Sequence, residues 1–174
     1  MGHSFTKLNL GSGISGPLAL NVITLEQSEW KSVDICAAYN PHECYDISTG
    51  IREPDNTMEE IWMGDFFEHL LRLKARFVIA ECFRVLKPGG KIRISVPDMA
   101  IVMPKWLESN GDIGSDLIWG DQDELYQRNS IPSAHFNGYT EATLTKMLLS
   151  AGFKGMKRIG IHKNWCELAM EAYK

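Results

Sequence analysis

At 174 residues the chain is long enough for one domain with a sizeable core and too short for two of ordinary size. Hydrophobic content of 44% and charged content of 23% are globular values, and no apolar run approaches a bilayer-crossing length, while a net charge of −4 without blocks of like charge argues against binding a nucleic-acid backbone; no membrane span and no DNA partner are expected. Residues 1–10 carry one lysine and no apolar core of signal-peptide length, which makes a cytoplasmic location the expectation.

Residues 7–10 form the first predicted strand and run directly into Gly11-Ser12-Gly13-Ile14-Ser15-Gly16, the strand-to-glycine junction that opens a nucleotide-binding α/β unit. Residues 17–29 are a helix candidate with Pro17 in the first turn, although their apolar residues fit no clean period. Short apolar segments at 32–35, 44–47 and 60–63, bounded by loop formers such as Asn40-Pro41 and Pro54-Asp55-Asn56, are read as strands two, three and four. Over residues 71–86 apolar side chains recur at three- and four-residue intervals with basic residues between them, the pattern of an amphipathic helix. Lys87-Pro88-Gly89-Gly90 ends that helix, and the alternation Lys91-Ile92-Arg93-Ile94-Ser95-Val96-Pro97 gives strand five. A second helix spans 140–151 and stops at Gly152, with Thr140 as its N-cap and Glu141 in its first turn. Residues 155–161 and 166–173 complete the chain as an antiparallel closing pair. The link at 36–43 is shorter than the dozen or so residues of an ordinary parallel crossover, so a helix is missing between strands two and three.

Strands that alternate with helices imply a mostly parallel sheet, whose ligands sit beyond the carboxyl ends of the strands. The chemistry is therefore sought at residues 11–16, 34–36, 46–48, 63–69 and 97–99. The pattern Gly11-x-Gly13-x-x-Gly16 lets the backbone turn tightly and approach a ligand without a Cβ in the way. Asp34, at the end of strand two, is placed to accept both hydroxyl hydrogens of a ribose; the alternative is a solvated loop carboxylate. To this point the pattern serves a nicotinamide dinucleotide as well as S-adenosylmethionine. The four cysteines, Cys36, Cys44, Cys82 and Cys166, have no CxxC spacing, and a reduced structural role without metal is expected of them.

Five segments occur in order: Asn9-Leu10-Gly11-Ser12-Gly13; Val33-Asp34-Ile35; Pro54-Asp55-Asn56-Thr57-Met58-Glu59-Glu60-Ile61-Trp62; Phe67-Glu68-His69-Leu70; and Arg84-Val85-Leu86-Lys87-Pro88-Gly89-Gly90 running on to Pro97-Asp98. Together they resemble the class I S-adenosylmethionine-dependent methyltransferases, in particular the short branch with LNLGSG-like, PDNSFDEI-like, EHL and RVLKPGG-like segments. The resemblance covers most of residues 7–153 and leaves 99–134 unmatched. It implies a Rossmann-like α/β fold with a mostly parallel sheet of about seven strands, lacking some of the usual helices, and S-adenosylmethionine as cofactor.

Carried over by position, the resemblance puts Gly11, Ser12 and Gly13 against the methionine part of the cofactor, Asp34 on the ribose with Ile35 beside it, and Asp46 near the adenine amino group. Met63, Gly64 and Asp65 would line the sulfonium side, with His69 nearby. Asp46 has the alternative of simply capping a turn, and His69 that of a structural histidine. Asn9 stands where many relatives have an acid, so its amide would meet the ammonium group without the charge that makes such bonds about twice as strong. Asp65 stands in place of an expected histidine, which removes any family-derived acid–base role there.

The implied reaction is an in-line displacement on the activated methyl, in which the protein mostly supplies orientation and removal of water. Strand four ends in Met63-Gly64-Asp65-Phe66 and not in an Asn/Asp-Pro-Pro-aromatic turn, which argues against methylation of DNA base amines. The acceptor is a small molecule or another unidentified group. Residues 99–134, with Trp106, Trp119 and Tyr126, are the expected lid or acceptor pocket, unless these aromatics only complete the core. His135 and Tyr139 are expected to face the acceptor, His135 as general base; otherwise His135 bonds a carbonyl and Tyr139 packs on the sheet. A sheet with one thin face suggests that residues 99–130 or a second subunit cover it, the latter as a homodimer. A nicotinamide-dependent oxidoreductase and a non-catalytic cofactor-binding protein are the rival readings.

Overall fold

The computed structural model describes residues 5–13, 29–121, 134–160 and 166–174. Its strands are β1 (Lys7–Leu10), β2 (Trp30–Asp34), β3 (Glu43–Cys44), β4 (Met58–Gly64), β5 (Leu86–Pro97), β6 (Lys154–Ile159) and β7 (Glu167–Tyr173). They form a seven-stranded sheet in the order β3-β2-β1-β4-β5-β7-β6. The first five pair in parallel, and β7 is antiparallel to both β5 and β6. The order runs one way from β1 through β2 to β3 and the other way through β4, so the crevice beyond β1 and β4 is the topological switch point at which ligands bind.

Register explains how the sheet is covered. Leu8, Ile61, Ile92 and Ala172 lie side by side across β1, β4, β5 and β7, Met63, Ile94 and Met170 form the next apolar row, and Leu10 pairs with Val33 of β2 on the same face. Helices α1 (Arg72–Val85) and α4 (Glu141–Ser150) pack on each other and on this face, α1 burying Ala75, Val78, Ile79, Cys82 and Val85. The intervening residues point the other way, as a period of two requires. There Lys7, Glu60, Lys91 and Tyr173 line up, followed by Asn9, Trp62, Arg93 and Glu171. Arg93 is paired with Glu60 at 2.7 Å and with Glu171 at 2.8 Å. One face is thus apolar and the other largely polar and charge-paired.

Local signals set the element ends. Thr140 caps α4 through a reciprocal pair, its hydroxyl accepting from Thr143 N–H at 3.3 Å while its own N–H donates to Thr143 Oγ1 at 2.8 Å. α1 passes straight into β5: Leu86 already pairs with Met58, residues 87–90 bulge out with Gly89 at φ 79°, and pairing resumes at Lys91. The third strand is shorter than the predicted 44–47, because Ile47–Thr49 winds into a 3-10 turn. Only another 3-10 turn, Ala37–Tyr39, occupies the 36–43 link, as its length requires. The stretch after β5 holds two helices, α2 (Met99–Glu108) and α3 (Ser115–Trp119), which pack together. Residues 17–28 of the helix candidate at 17–29, together with Gly16 and Tyr126, lie outside the described residues. Among the described residues no helix is long and apolar enough to cross a membrane. All four cysteines are free thiols.

Candidate functional site

β1 ends in a turn that only glycine permits. Gly11 has φ 68°, and a Cβ on it would lie 2.2 Å from the Phe66 ring, so the loop after β4 closes directly on the backbone after β1. Gly11 N–H donates to Val33 carbonyl at 2.9 Å, which ties this turn to β2. Gly13 has φ 59°, and among the described residues nothing lies within 4 Å of where its Cβ would be. Its N–H donates to Asp34 Oδ2 at 2.8 Å, and Cys36 N–H donates to Oδ1 at 2.8 Å. Asp34 is only 7% exposed, so its carboxylate is fixed between two loops at the switch point, whereas the neighbouring Ile35 is 53% exposed. Ser12 is buried in the same turn. Asn9 is buried within β1, with Ser32 of β2 and Trp62 of β4 as its cross-strand neighbours.

The second half of the crevice is built on the loop after β4. Asp65 adopts φ 48°, and its N–H donates to Ser95 carbonyl at 3.0 Å. A 3-10 turn, Phe67–His69, then turns the chain into α1. The carbonyl of Glu68 accepts from Phe136 N–H at 2.9 Å and from Asn137 N–H at 3.1 Å, and the Asn137 amide donates to Leu70 carbonyl. These bonds staple a segment distant in sequence onto the turn. They bring His69 and His135 edge to face, with ring centroids 4.7 Å apart at 75°.

Each ring is held by a backbone carbonyl, His69 Nδ1 by Ala134 at 3.0 Å and His135 Nδ1 by Leu117 at 3.0 Å. With Nδ1 as the donor, Nε2 carries the lone pair. Burial holds both imidazoles below the ordinary histidine range; for His69 the neighbouring His135 adds to the effect, while Asp65 opposes it at both rings. Burial thus favours the neutral form of both rings.

The predicted residues divide by where the structure puts them. Asn9, Gly11, Ser12, Gly13, Asp34, Ile35, Gly64 and Asp65 all stand at the carboxyl ends of β1, β2 and β4. Met63 does too, but its side chain is wholly in the core, so only its backbone is available to a ligand. Asp46 is exposed and caps the turn after β3, accepting from Ser48 N–H at 2.8 Å. Tyr139 corrects the expectation that it faces the acceptor: it is 3% exposed, and its ring stacks on Phe67 at 5.2 Å. Its hydroxyl has no hydrogen-bond partner among the described residues, and burial pushes its pKa far above the ordinary phenol value. The reason is its isolated bridge to Asp98, which draws residue 139 onto the sheet. Trp106 donates to Ser115 Oγ at 3.2 Å and so ties α2 to α3, while Trp119 is exposed. Two residues that the sequence reading passed over as site members now belong there: Glu68, buried within the EHL segment, and Ser95, whose hydroxyl donates to Glu167 beside Asp65. The EHL segment itself was the signal for Glu68; Ser95 had none beyond its place near the end of β5.

No protein-family model matches the sequence, and no curated protein does. Solved structures do match it. A SAM-dependent methyltransferase from Archaeoglobus fulgidus superposes with a TM-score of 0.68 at 15% identity, over 97% of this chain and 85% of that one. An S-adenosylmethionine-dependent methyltransferase from Mesorhizobium loti gives 0.64 at 11% identity, over 100% and 94%. The 1,6-didemethyltoxoflavin-N1-methyltransferase of Burkholderia thailandensis, solved with 1,6-didemethyltoxoflavin and S-adenosylhomocysteine, gives 0.60 at 16% identity, over 97% and 70%. The chain has the fold of these proteins.

Proposed function

We propose that this chain, folded as a class I methyltransferase, binds S-adenosylmethionine at the carboxyl ends of β1, β2 and β4 and transfers its methyl group to a small-molecule acceptor. Asp34 carries the reading. An ionised carboxylate offers about four lone-pair sites. The amides of Gly13 and Cys36 occupy one on each oxygen, which leaves both oxygens able to accept from a vicinal diol such as a ribose. The exposed apolar Ile35 beside it suits a flat base, and the open side of Gly13 admits a close-lying chain. Gly11, Ser12 and Asn9 would hold the amino-acid end, Asp46 the far edge of the base, and Gly64 and Asp65, with the backbone of Met63, the sulfonium side.

The cofactor supplies a methyl group that is already electrophilic. What remains for the protein is orientation, worth roughly 7–11 kcal/mol in favourable cases, and removal of one acceptor proton. That proton goes to the His69–His135 pair, whose neutral imidazoles flank the same crevice as Asp65. Tyr139 supports the pair from below through Phe67 and takes no proton. Residues 99–134, including α2 and α3, act as the acceptor-side lid of a single domain, and the protein works in the cytoplasm.

The test is a thermal shift with three ligands. S-adenosylmethionine and S-adenosylhomocysteine should each raise the melting temperature, since a ligand that binds only the folded state stabilises it by about 2.7 kcal/mol at a hundredfold excess over Kd. NADH should not. A shift with NADH alone would assign the glycine turn and Asp34 to a dinucleotide.

A further inference from the structure

We propose that Glu68, His69 and His135 bind a divalent transition-metal ion of the zinc class, and that this ion receives a hydroxyl-bearing acceptor. One donor atom from each of the three lies within 4.8 Å of the others. Bonds of about 2.0–2.1 Å in tetrahedral geometry set donors roughly 3.4 Å apart, so ion binding draws the three donors together. Two imidazole nitrogens and one carboxylate oxygen suit zinc, and three protein ligands leave the open position that separates a catalytic site from a structural one.

A second observation points to an ion independently of that spacing. Metal-binding histidines hold their other ring N–H with a carbonyl or carboxylate, which fixes the ring and directs the ligating nitrogen. Both histidines have this arrangement, each Nδ1 lying 3.0 Å from a backbone carbonyl on a separate segment, Ala134 for His69 and Leu117 for His135. The scaffold is clamped as well: Glu68 carbonyl binds two amides of the His135 segment, and His135 N–H donates to Trp119 carbonyl at 3.2 Å. Asp65 acts on both rings electrostatically and adds negative charge in favour of a cation.

The consequence for the acceptor rests on the methyl-transfer reading above; the ion site does not. An acceptor hydroxyl in the open position becomes more acidic, as a zinc-bound water does. Its proton leaves to solvent, a lone pair of the resulting oxygen forms the new C–O bond to the methyl, and the methyl–sulfur bond breaks with its pair staying on sulfur. In the loaded protein the imidazoles thus act through the ion instead of taking the proton themselves.

The experiment uses the full chain after treatment with a chelator. Zn²⁺ is titrated by calorimetry and Co²⁺ by visible absorption, with S-adenosylhomocysteine titrated into the same metal-free samples. The expected result is one ion per chain and ligand-field bands for Co²⁺. His69→Ala and His135→Ala should each weaken binding by about 100-fold or more, above the 10–100-fold typical of outer-shell changes. Cys44→Ser, which removes the exposed thiol, should leave it intact. Where an alanine variant melts early, His135→Gln, which keeps the volume, replaces it. Absence of Co²⁺ bands, or Zn²⁺ affinity unchanged in both histidine variants, overturns the ion site. If Zn²⁺ binds as expected but S-adenosylhomocysteine does not, the methyl-transfer reading fails and the ion site stands.

Discussion

The Tyr139 hydroxyl is buried among apolar side chains, with Glu68 close enough to oppose its ionisation further. A buried hydroxyl without a partner costs about 1–3 kcal/mol. Tyr139→Phe should therefore leave the melting temperature unchanged or raise it and should keep turnover, whereas Tyr139→Ala should cost about 3–5 kcal/mol through the cavity. Loss of turnover in a stable Tyr139→Phe protein, by a methyl-transfer assay, would return the residue to the chemistry. The sequence placed Tyr139 near His135, and the two are indeed close in the chain, but nothing in a run of residues shows which way each side chain turns. Asp34 was more legible. An acid closing the second strand after a glycine turn has one place to go, and the two amides that hold it follow from that turn geometry.

At the scale of elements, β5 was read correctly as a strand because its apolar residues alternate, yet the same alternation carried a further message. A strand covered on both faces reads as a continuous apolar run, whereas Lys91, Arg93 and Ser95 all belong to the polar face. Arg93 is partly buried between Glu60 and Glu171, and Tyr173 together with Arg93 holds Glu171 below the usual carboxylate range against the opposing effect of burial. Arg93→Met should cost about 1–3 kcal/mol in urea denaturation, because two largely buried carboxylates then lose their shared cation, Glu60 being left with Lys91 at 3.4 Å and Glu171 with the Tyr173 hydroxyl. The triple replacement Arg93→Met, Glu60→Leu, Glu171→Leu should recover most of that loss; a single variant as stable as the parent would show that the row contributes nothing.

α1 carries an acid-sensitive tie of the same kind. Arg84 bonds Glu81 at 2.7 Å and 2.8 Å and reaches Ile51 carbonyl at 2.7 Å, holding the loop before β4. The Arg84 guanidinium draws the Glu81 carboxyl below its ordinary value, so the unfolded chain binds that proton more tightly. The stability this provides is present above the unfolded value near 4.3 and disappears as pH falls through the lowered one. Melting curves should therefore fall less steeply below about pH 4.5 in Glu81→Gln than in the parent; identical slopes would contradict the assignment.

For the whole molecule, the mostly parallel sheet with its antiparallel closing pair follows from the alternation of strands and helices and is legible in the sequence, whereas the strand order β3-β2-β1-β4-β5-β7-β6 is not. The pairing of His69 with His135 did not follow, because it depends on backbone bonds between residues 68 and 136–137 that no local pattern announces. Nor did the helices after β5 follow, since that stretch matched nothing. The homodimer was proposed because a parallel sheet needs both faces covered. The second face of the sheet instead carries charge-paired residues along β4, β5 and β7, which tolerate solvent without a covering subunit.

The central claim is that the crevice closed by Asp34 holds the ribose of S-adenosylmethionine. Its most direct test is a calorimetric titration of S-adenosylhomocysteine into the parent protein and Asp34→Ala side by side, with melting curves to establish that both are folded. One site per chain is expected in the parent and binding at least about 100-fold weaker in the variant, since two charge-assisted hydrogen bonds are lost, each worth roughly 1.5–3 kcal/mol. No heat with the parent, or equal affinity in a folded variant, would contradict it.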